Sequence, residues 1–278
     1  MIIPFQPFIW INSEVIQCDR VEEALLNEGR TVYEVVRVMN GKILFLEDHI
    51  TRLEQSARLA GFELWQSLGQ IRAALMQMCT ANGFPEGNLE ISANYRSDSC
   101  PVHRHLMAWY IPHSYPSPEQ YQEGVDTLFY FSERVNPNAK YRNQPLKEAA
   151  NAIINNRRIY EVVLVDRQGN ITEGSRSNLF LIKNNALYTA PAAQVLLGIT
   201  RMKILEIAGE YGIKLIEQPI PHAQLSTFES AFITGTSPKV LPVRTIENHT
   251  MIPQHPLTLS VMKHYDAMIA EYIAGKPE

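Results

Sequence analysis

The stretch Ile171-Thr-Glu-Gly-Ser-Arg-Ser-Asn-Leu-Phe180 begins in one predicted strand and ends in another. Before it, Tyr160-Glu-Val-Val-Leu-Val-Asp166 is apolar enough to be a central strand. After it, the apolar run continues to Ile182, and Asn184-Asn185 predicts a turn into Ala186-Leu-Tyr-Thr189. Strands are therefore predicted to dominate the middle of the chain.

The first third of the chain alternates strand and helix patterns. The segment Tyr33–Met39 is rich in β-branched residues, and Asn40-Gly41 predicts a tight hairpin. Two helices with apolar residues at helical spacing follow, and the second ends at Asn82-Gly83. Two further strands are predicted over Leu89–Tyr95 and Leu106–Ile111. This part of the chain is predicted to be a sheet backed by helices.

A proline-rich segment separates the two halves of the chain. Its 278 residues suit one large or two ordinary domains. Three prolines fall within residues 112–119, and no other stretch looks as much like a linker. We therefore predict a small α/β domain over 1–113, a linker over 114–119 and a larger, mostly β domain over 120–278, with helices at its margins.

Composition and charge exclude several classes of protein. Twenty-five basic and 29 acidic residues leave a formal charge of −4, without the basic excess typical of nucleic-acid binders. Three cysteines without a CxxC pair argue against a disulfide scaffold or a zinc site. No apolar run approaches the roughly 18 residues that span a bilayer. We expect a soluble, cytoplasmic protein without nucleic-acid or membrane partners.

Three places in the sequence could hold a phosphate. Thr200 stands where a helix N-cap is expected, and a helix N-terminus offers unpaired N–H groups and a positive dipole end. The turn Thr234-Gly-Thr-Ser-Pro238 follows a strand and is rich in hydroxyl groups. Arg52 lies four residues after Asp48 in the first predicted helix. Taken alone, each has an ordinary explanation as a structural cap, a common turn or a helix-surface charge.

Lysines are the remaining candidates for covalent chemistry. The sequence has no GxSxG, HExxH, Walker or GxGxxG motif. Its histidines are scattered except for His103-Arg104-His105, so no metal site is predicted. Lys140, Lys147 and Lys239 would each be a surface charge by default.

Five segments in their order change this interpretation. They are Phe45-Leu-Glu-Asp-His-Ile-Thr-Arg-Leu53, Lys140-Tyr-Arg-Asn143, Ile171–Phe180, Leu197-Gly-Ile-Thr-Arg201 and Phe232-Ile-Thr-Gly-Thr-Ser237. This succession, over about residues 33–245, resembles the class IV aminotransferase family of pyridoxal-phosphate enzymes. The family includes branched-chain and D-amino-acid aminotransferases and aminodeoxychorismate lyase.

The resemblance implies a role for individual residues. Lys140 matches the Schiff-base lysine, and Glu173 matches the carboxylate at the pyridine nitrogen. Leu196 occupies the place of a side chain that packs on the cofactor ring. The residues that match phosphate contacts are Arg52, Ile199, Thr200, Gly235 and Thr236.

The resemblance is less specific for the substrate. Tyr33 matches an aromatic residue of the substrate pocket. Arg104 is the candidate for binding the substrate carboxylate, with Arg96 and Arg142 as alternatives. The chain also departs from the family where Asn27-Glu-Gly-Arg-Thr-Val32 replaces a Phe-Gly-Asp-Gly-like stretch at the mouth of the site.

Fold and activity follow from the resemblance as expectations. It implies a fold type IV enzyme (α+β / α/β) with a small N-terminal α/β domain, a larger pseudo-barrel domain, and pyridoxal 5'-phosphate in the cleft. It also implies a homodimer that transfers an amino group from an amino acid to a 2-oxo acid. A lyase of the aminodeoxychorismate type and a degenerate cofactor-binding relative remain alternatives. Retention of both Lys140 and Glu173 argues against the degenerate relative.

Overall fold

The computed structural model describes residues 2–22, 26, 29–97 and 103–275, which divide into two compact units. Unit 1 contains the chain up to Ser114, the short segment Ala139–Arg142 and the end of the chain from Glu271. Unit 2 contains Tyr115–Asn138 and Asn143–Ala270. The first crossing lies within the predicted linker, but Lys140 is counted with unit 1, whereas the sequence places it in the second domain.

Unit 1 is built on a six-stranded antiparallel sheet with the order β2-β1-β6-β5-β3-β4. Its strands are β1 (Phe8–Ile11), β2 (Glu14–Gln17), β3 (Arg30–Met39), β4 (Lys42–Ile43), β5 (Gly87–Arg96) and β6 (His103–Ile111). The predicted hairpin joins β3 to β4: Asn40 and Gly41 both have positive φ, 49° and 72°. Such a pair is typical of a two-residue turn that matches the twist of the strands.

Two helices cover one face of this sheet, as the sequence predicts. They are α1 (Leu46–Leu59) and α2 (Leu68–Ala81). Inward side chains of α1, such as Leu53 and Ala57, pack against the apolar residues of β3 in one buried cluster. Ser67 and Gln70 form a capping box that begins α2, which ends at Asn82.

The short segment Ala139–Arg142 extends the unit 1 sheet. The Tyr33 N–H donates to the Lys140 carbonyl and the Arg142 N–H donates to the Thr31 carbonyl, both at 3.1 Å. Val32 and Tyr141 form an antiparallel bridge between these two bonds. These contacts join residues more than a hundred positions apart. A boundary drawn from the proline-rich segment alone could not include them, and it therefore assigned Lys140 to the other domain.

Unit 2 is a ten-stranded sheet that closes on itself. Its strands are β7 (Val125–Phe131), β8 (Glu161–Val165), β9 (Asn170–Gly174), β10 (Asn178–Lys183), β11 (Ala186–Thr189), β12 (Leu215–Glu217), β13 (Ile220–Pro221), β14 (Ser230–Gly235), β15 (Lys239–Ile246) and β16 (His249–Thr250). The order is β12-β11-β10-β14-β15-β7-β8-β9-β13, and β16 pairs with β15. Glu173 of β9 also pairs with Asn178 of β10, which closes a six-stranded ring and confirms the predicted pseudo-barrel.

Four helices lie wholly or mainly in unit 2. They are α3 (Pro118–Glu123), α4 (Gln144–Arg157), α5 (Ile199–Glu210) and α6 (Pro256–Ala274), with 3-10 turns at Ala192–Gln194 and His222–Thr227. Part of the predicted linker is helical, because Ser117 caps α3 and Pro118 suits its first turn. None of the helices in the described part of the chain is long and apolar enough to cross a membrane.

The predicted N-cap role of Thr200 is wrong. Helix α5 begins at Ile199 with Gly198 as its N-cap, so Thr200 lies inside the first turn. The Thr200 hydroxyl lies 3.3 Å from the Tyr265 hydroxyl instead of bonding to the helix backbone. The other end of α5 is as predicted, because Gly212 follows the Tyr211 C-cap with φ 65°.

Candidate active site

Lys140 lies in the short extended segment that pairs with β3. Its backbone N–H donates to the Ser56 hydroxyl of α1 at 3.1 Å, and its carbonyl accepts from Tyr33. Its ammonium lies 5.0 Å from the centre of the Tyr33 ring, within the range of a cation–π contact. The structure therefore brings together the predicted reactive lysine and the predicted substrate-pocket aromatic residue.

Arg52 belongs to a buried charge cluster beneath the same strand. It binds Glu34 with both arms of its fork, Nε to Oε1 at 2.7 Å and Nη2 to Oε2 at 2.6 Å. His49 Nδ1 lies 2.8 Å from Glu34 Oε2, the oxygen that also accepts from Arg52 Nη2. Glu34 is fully buried and Arg52 is 6% exposed. Because His49, Arg52 and Ser56 share one face of α1, this helix presents them together to β3 and Lys140.

The cluster fixes the charges of its members. Burial alone would raise the pKa of Glu34, but the charge and hydrogen bonds of Arg52, with those of His49, lower this pKa to about 2. Burial lowers the pKa of His49, against the opposing effect of Glu34. Glu34 is therefore anionic and His49 neutral at pH 7, and the pair of Glu34 and Arg52 has no net charge.

Arg104, the predicted carboxylate-binding residue, lies on the other face of the unit 1 sheet. Arg104 pairs with Tyr95 on β5, and Tyr33 pairs with Ser92 on the same strand. Tyr95 and Ser92 are three residues apart, and side chains alternate along a strand, so Arg104 and Tyr33 point to opposite faces of the sheet. The Arg104 guanidinium lies 5.6 Å from the Trp65 ring. The structure thus does not bring Arg104 and Tyr33 together.

In unit 2, Glu173 lies at the point where the barrel closes. It is 2% exposed. Its Oε2 accepts from Asn178 Nδ2 and from the Leu196 N–H, both at 3.2 Å. Its Oε1 lies 2.9 Å from Arg134 Nε, close enough for an ion pair although the N–H is not directed for a hydrogen bond. Arg134 Nη2 donates to the Ser175 carbonyl, which fixes the arginine to the β9–β10 turn.

Asn178 connects Glu173 to the start of α5. Its amide also donates to the Leu196 carbonyl at 2.8 Å, and the Gly198 N–H donates to the same carbonyl. A Cβ at Gly198 would collide with Asn178 Oδ1. Any residue can adopt the φ of Gly198, −62°, so glycine is not required here for its backbone conformation. It is required because the packing leaves no room for a side chain.

The predicted phosphate contacts of unit 2 lie at two neighbouring chain ends. Ile199 and Thr200 form the first turn of α5, which has no side-chain cap, and α5 packs against β14. Strand β14 ends at Gly235, just before Thr236, in the turn to β15. Thr234 lies directly opposite Asn178, and its buried hydroxyl has no hydrogen-bond partner among the described residues.

A second buried carboxylate shapes the β9–β10 turn. Glu161 accepts from the Arg176 N–H and from the hydroxyls of Ser175 and Ser177. Burial raises the pKa of Glu161, against the opposing charge of Arg176. The space beside Gly174 is filled by Ser177 and Glu161, so no side chain fits there. This packing explains the Glu-Gly-Ser-Arg-Ser spacing of the motif.

The donor set fits pyridoxal phosphate. In unit 2, an uncapped helix N-terminus and the buried, unsatisfied Thr234 hydroxyl suit a phosphate. Glu173 offers a fixed carboxylate to a ring nitrogen, and in unit 1 Lys140 offers a primary amine beside an aromatic ring. Within the described ranges, no group of three or more His, Cys, Asp or Glu residues could hold a metal ion.

Sequence reasoning missed Glu34, His49, Arg134, Asn178 and Glu161. One signal was available for Glu34, since it occupies an inward position between Val32 and Val36 in an alternating strand. A charged residue at such a position requires a buried partner. Arg134 gave no such signal, because it lies outside any periodic segment.

Comparisons with known proteins agree on the family. The model of amino-transferase class IV matches residues 31–246, more than half of the chain. The D-alanine aminotransferase of Bacillus licheniformis is 30% identical, covering 83% of this chain and 84% of that protein. The branched-chain-amino-acid aminotransferase of Pseudomonas aeruginosa is 28% identical, covering 97% and 94%.

Solved structures confirm the fold. The branched-chain amino acid aminotransferase of Escherichia coli superimposes with a TM-score of 0.85 at 21% identity, covering 95% of each chain. The enzyme of Thermoproteus uzoniensis, solved with norvaline, gives 0.83 at 25% identity and covers 98% and 96%. The protein therefore belongs to the class IV aminotransferases, enzymes that use pyridoxal phosphate to transfer amino groups.

Proposed function

We propose that the enzyme transfers an amino group between an amino acid and a 2-oxo acid in two half-reactions at one site, with Lys140 as its reactive residue. One observation carries this proposal: the Lys140 amine lies 5.0 Å from the Tyr33 ring, on a strand segment pinned by β3 and α1. A lysine in this position is a positioned base and not a mobile surface charge.

Each proposed site residue has a role that follows from its chemistry. When bound, pyridoxal phosphate withdraws electrons from the substrate Cα. Lys140 is the amine that would hold the cofactor between turnovers and would move the proton at that carbon during them. Glu173 is fixed by Arg134, Asn178 and the Leu196 N–H, and its carboxylate would hold a proton at the ring nitrogen. Tyr33 would line the substrate side of the cofactor, and Leu196 would pack on its ring.

The phosphate is proposed to bind cations and N–H groups of both units. Its roughly two negative charges suit one arginine together with a helix N-terminus and small hydroxyls. Arg52 provides the arginine, oriented by Glu34. The other contacts are Ile199, Thr200, Gly235 and Thr236.

The names of the relatives support a substrate class of small aliphatic amino acids. The relatives are a D-alanine and a branched-chain-amino-acid aminotransferase. Transfer is preferred to elimination because a lyase needs an acid beside its leaving group. Glu90, the carboxylate beside Tyr33 in the sheet, is already paired with Arg142 and Ser92.

We propose that the enzyme is a cytoplasmic homodimer. The homodimer rests on the family resemblance. The three cysteines without a CxxC pair support a reducing compartment. Sedimentation of the purified holoenzyme would test the oligomeric state, and a monomer at micromolar concentration would contradict it.

A half-reaction experiment tests the proposed activity. The purified holoenzyme is mixed with a panel of D- and L-amino acids, without any 2-oxo acid, while the cofactor spectrum is followed. At least one amino acid should convert the cofactor from its aldehyde to its amine form, and 2-oxoglutarate or pyruvate should restore it. Lys140→Ala should abolish both changes, and Lys147→Ala, on the exposed side of α4, should not.

Two results would contradict the proposal. If no amino acid in the panel changes the cofactor spectrum, the enzyme is not an amino acid transaminase. If an amino-chorismate substrate also yields pyruvate, the enzyme is a lyase on the same scaffold. The configuration of the accepted amino acids decides between the D-alanine and the branched-chain type.

A further inference from the structure

The face of the unit 1 sheet opposite to α1 and α2 carries a polar group next to Tyr33. In the register of β3 and β5, Tyr33 pairs with Ser92 and Val35 pairs with Glu90. Because side chains alternate along a strand, Tyr33, Ser92 and Glu90 point to the same face. The Ser92 hydroxyl donates to Glu90 Oε1 at 2.8 Å. This face is opposite to the one that α1 and α2 cover.

Arg142 joins Lys140 on that face. The two residues are separated only by Tyr141, whose hydroxyl donates to the Leu59 carbonyl of α1 on the opposite face. The Arg142 guanidinium carbon lies 5.5 Å from the centre of the Tyr33 ring, which Lys140 approaches to 5.0 Å. The two cations thus flank one aromatic ring.

Glu90 fixes the position of Arg142. The Arg142 Nη2 forms an ion pair with Glu90 Oε1, and the two side chains are 18% and 12% exposed. The Arg142 backbone is held as well, since its N–H donates to the Thr31 carbonyl. A guanidinium that is anchored at both ends keeps its place without a ligand, which lowers the ordering cost of binding.

Three other arginines of the unit 1 strands, Arg37, Arg96 and Arg104, are placed less well to approach the Tyr33 ring. Arg37 is four residues along β3 from Tyr33, and Arg96 is four residues along β5 from its partner Ser92. At 3.3 Å per residue, each is displaced by about 13 Å. Arg104 points to the other face of the sheet. Among the described arginines of these strands, none approaches Tyr33 as Arg142 does.

We propose that Arg142 binds the substrate α-carboxylate, with Glu90 as its positioning residue. This assignment rests on the proposed transamination at Lys140. Donor and acceptor share only one charged group, the α-carboxylate, which is one bond from the reacting carbon. A cation beside the reactive lysine therefore serves both half-reactions, and the planar fork of arginine matches a carboxylate.

A non-reacting carboxylate tests the assignment directly. Isovalerate has neither an amino nor a keto group, so its binding to the holoenzyme is followed as a shift of the cofactor spectrum without turnover. Arg142→Gln should raise its dissociation constant about 10- to 100-fold, the scale of a lost charge-assisted contact. Arg142→Lys, which keeps the charge but not the fork, should recover only part of the affinity. The control Arg58→Gln, on the exposed side of α1, should leave binding unchanged.

A pair of substrates separates carboxylate recognition from general damage. Leucine and isopentylamine differ only in the carboxylate. In Arg142→Gln the half-reaction with leucine should need a 10- to 100-fold higher concentration, and the slow reaction with isopentylamine should keep its wild-type concentration dependence. Glu90→Gln should raise the KM for acids with little change in kcat, and Glu90→Asp should partly restore it.

Four results would overturn the assignment while transamination still stands. The first is that isovalerate binds Arg142→Gln as tightly as the wild type, and the second is that isovalerate does not bind the wild type at all. The third is that Arg142→Gln loses activity only with substrates that have a second carboxylate, which would show that Arg142 binds the substrate side chain. The fourth is that Arg104→Gln, and not Arg142→Gln, loses isovalerate affinity. If the wild type converts no amino acid, the proposed function fails separately, and the isovalerate titration still reports on Arg142.

Discussion

Lys140 is held in place by the backbone hydrogen bonds of its segment. The Lys140 carbonyl accepts from the Tyr33 N–H, and the Lys140 N–H donates to the Ser56 hydroxyl. Two residues later, the Arg142 N–H donates to β3, so the segment is fixed on both sides of Lys140. Only the side chain can move, and its amine remains beside the Tyr33 ring. Borohydride reduction of the holoenzyme followed by peptide mapping should therefore find the cofactor on Lys140. Lys140→Ala should retain cofactor binding but lose turnover by several orders of magnitude.

Lys147 is the useful comparison for this experiment. It lies seven residues later on α4 and is exposed. Cofactor found on Lys147 would show that the family motif is aligned with the wrong lysine. Similar amounts of cofactor on Lys140 and Lys147 would contradict the prediction that one lysine forms the bond to the cofactor.

Glu34 stabilises unit 1 only because its partners are present. Replacing Glu34 by Gln leaves the buried Arg52 guanidinium without its bidentate partner, and such a loss costs about 3–5 kcal/mol. Urea unfolding at pH 7, followed by tryptophan fluorescence, should measure this loss in unit 1. The control Glu54→Gln removes an exposed ion pair with Arg58 and should change the unfolding free energy by less than about 1 kcal/mol.

The same pair predicts how stability depends on pH. The folded-state pKa of Glu34 is about 2, below its ordinary 4.5, so its contribution is complete above pH 4.5 and is lost as pH falls through 2. The pKa of His49 is also lowered, so protonation of the unfolded state below pH 6.5 destabilises the fold as well. Unit 1 should therefore lose stability steadily on acidification. The free energy of unfolding of the wild type should exceed that of Glu34→Gln by about 1 kcal/mol less at pH 3.5 than at pH 7. An unchanged difference would contradict the buried pair.

At the scale of elements, the start of α5 depends on the absence of a side chain at Gly198. A methyl group there would collide with Asn178 Oδ1. The same Asn178 side chain holds Glu173 and Leu196. Gly198→Ala should therefore displace the helix start, weaken cofactor affinity at least 10-fold and cost about 1–3 kcal/mol of stability. Cofactor titration and thermal unfolding measure the two effects.

Gly209 provides a control in the same helix. Nothing lies within 4 Å of the Cβ that alanine would add there. Gly209→Ala should leave cofactor affinity unchanged and stabilise α5 by up to about 1 kcal/mol, because alanine has the higher helix propensity. Equal behaviour of the two variants would mean that the Gly198 contact has no role in shaping the site.

Elements that depend on local sequence were predictable, and those that depend on distant contacts were not. The Asn40-Gly41 hairpin and helix α1 follow from nearby residues alone. The pairing of Ala139–Arg142 with β3 does not, because no periodicity marks so short a segment. The predicted cap at Thr200 was two residues too late, because Gly198, with its close contact to Asn178, is the N-cap.

The site residues divide in the same way. Motif order identified Lys140 and Glu173 as candidates for one site, a role that the borohydride and cofactor experiments will test. The residues that orient them, such as Arg134 and Glu34, act through side-chain geometry across the fold. A sequence pattern contains no such geometry unless a charged residue falls on an apolar face, as Glu34 does.

At the scale of the whole molecule, the proposed cofactor contacts come from both units. Unit 1 provides Lys140 and Arg52, and unit 2 provides Glu173, Thr200 and Thr236. A ligand that binds the native form of both units stabilises both by mass action. Pyridoxal phosphate should therefore couple their unfolding, although each unit has its own hydrophobic core.

The tryptophans make this coupling measurable. All three, Trp10, Trp65 and Trp109, belong to unit 1, so their fluorescence reports only that unit, whereas far-ultraviolet circular dichroism reports both. Saturating cofactor should raise the fluorescence midpoint and merge it with the dichroism midpoint. Thr200→Ala, a change in unit 2, should lower the fluorescence midpoint of the holoenzyme and leave that of the apoenzyme unchanged. If the cofactor moves only the dichroism transition, or if Thr200→Ala has no effect on tryptophan fluorescence, then the two units do not share the cofactor.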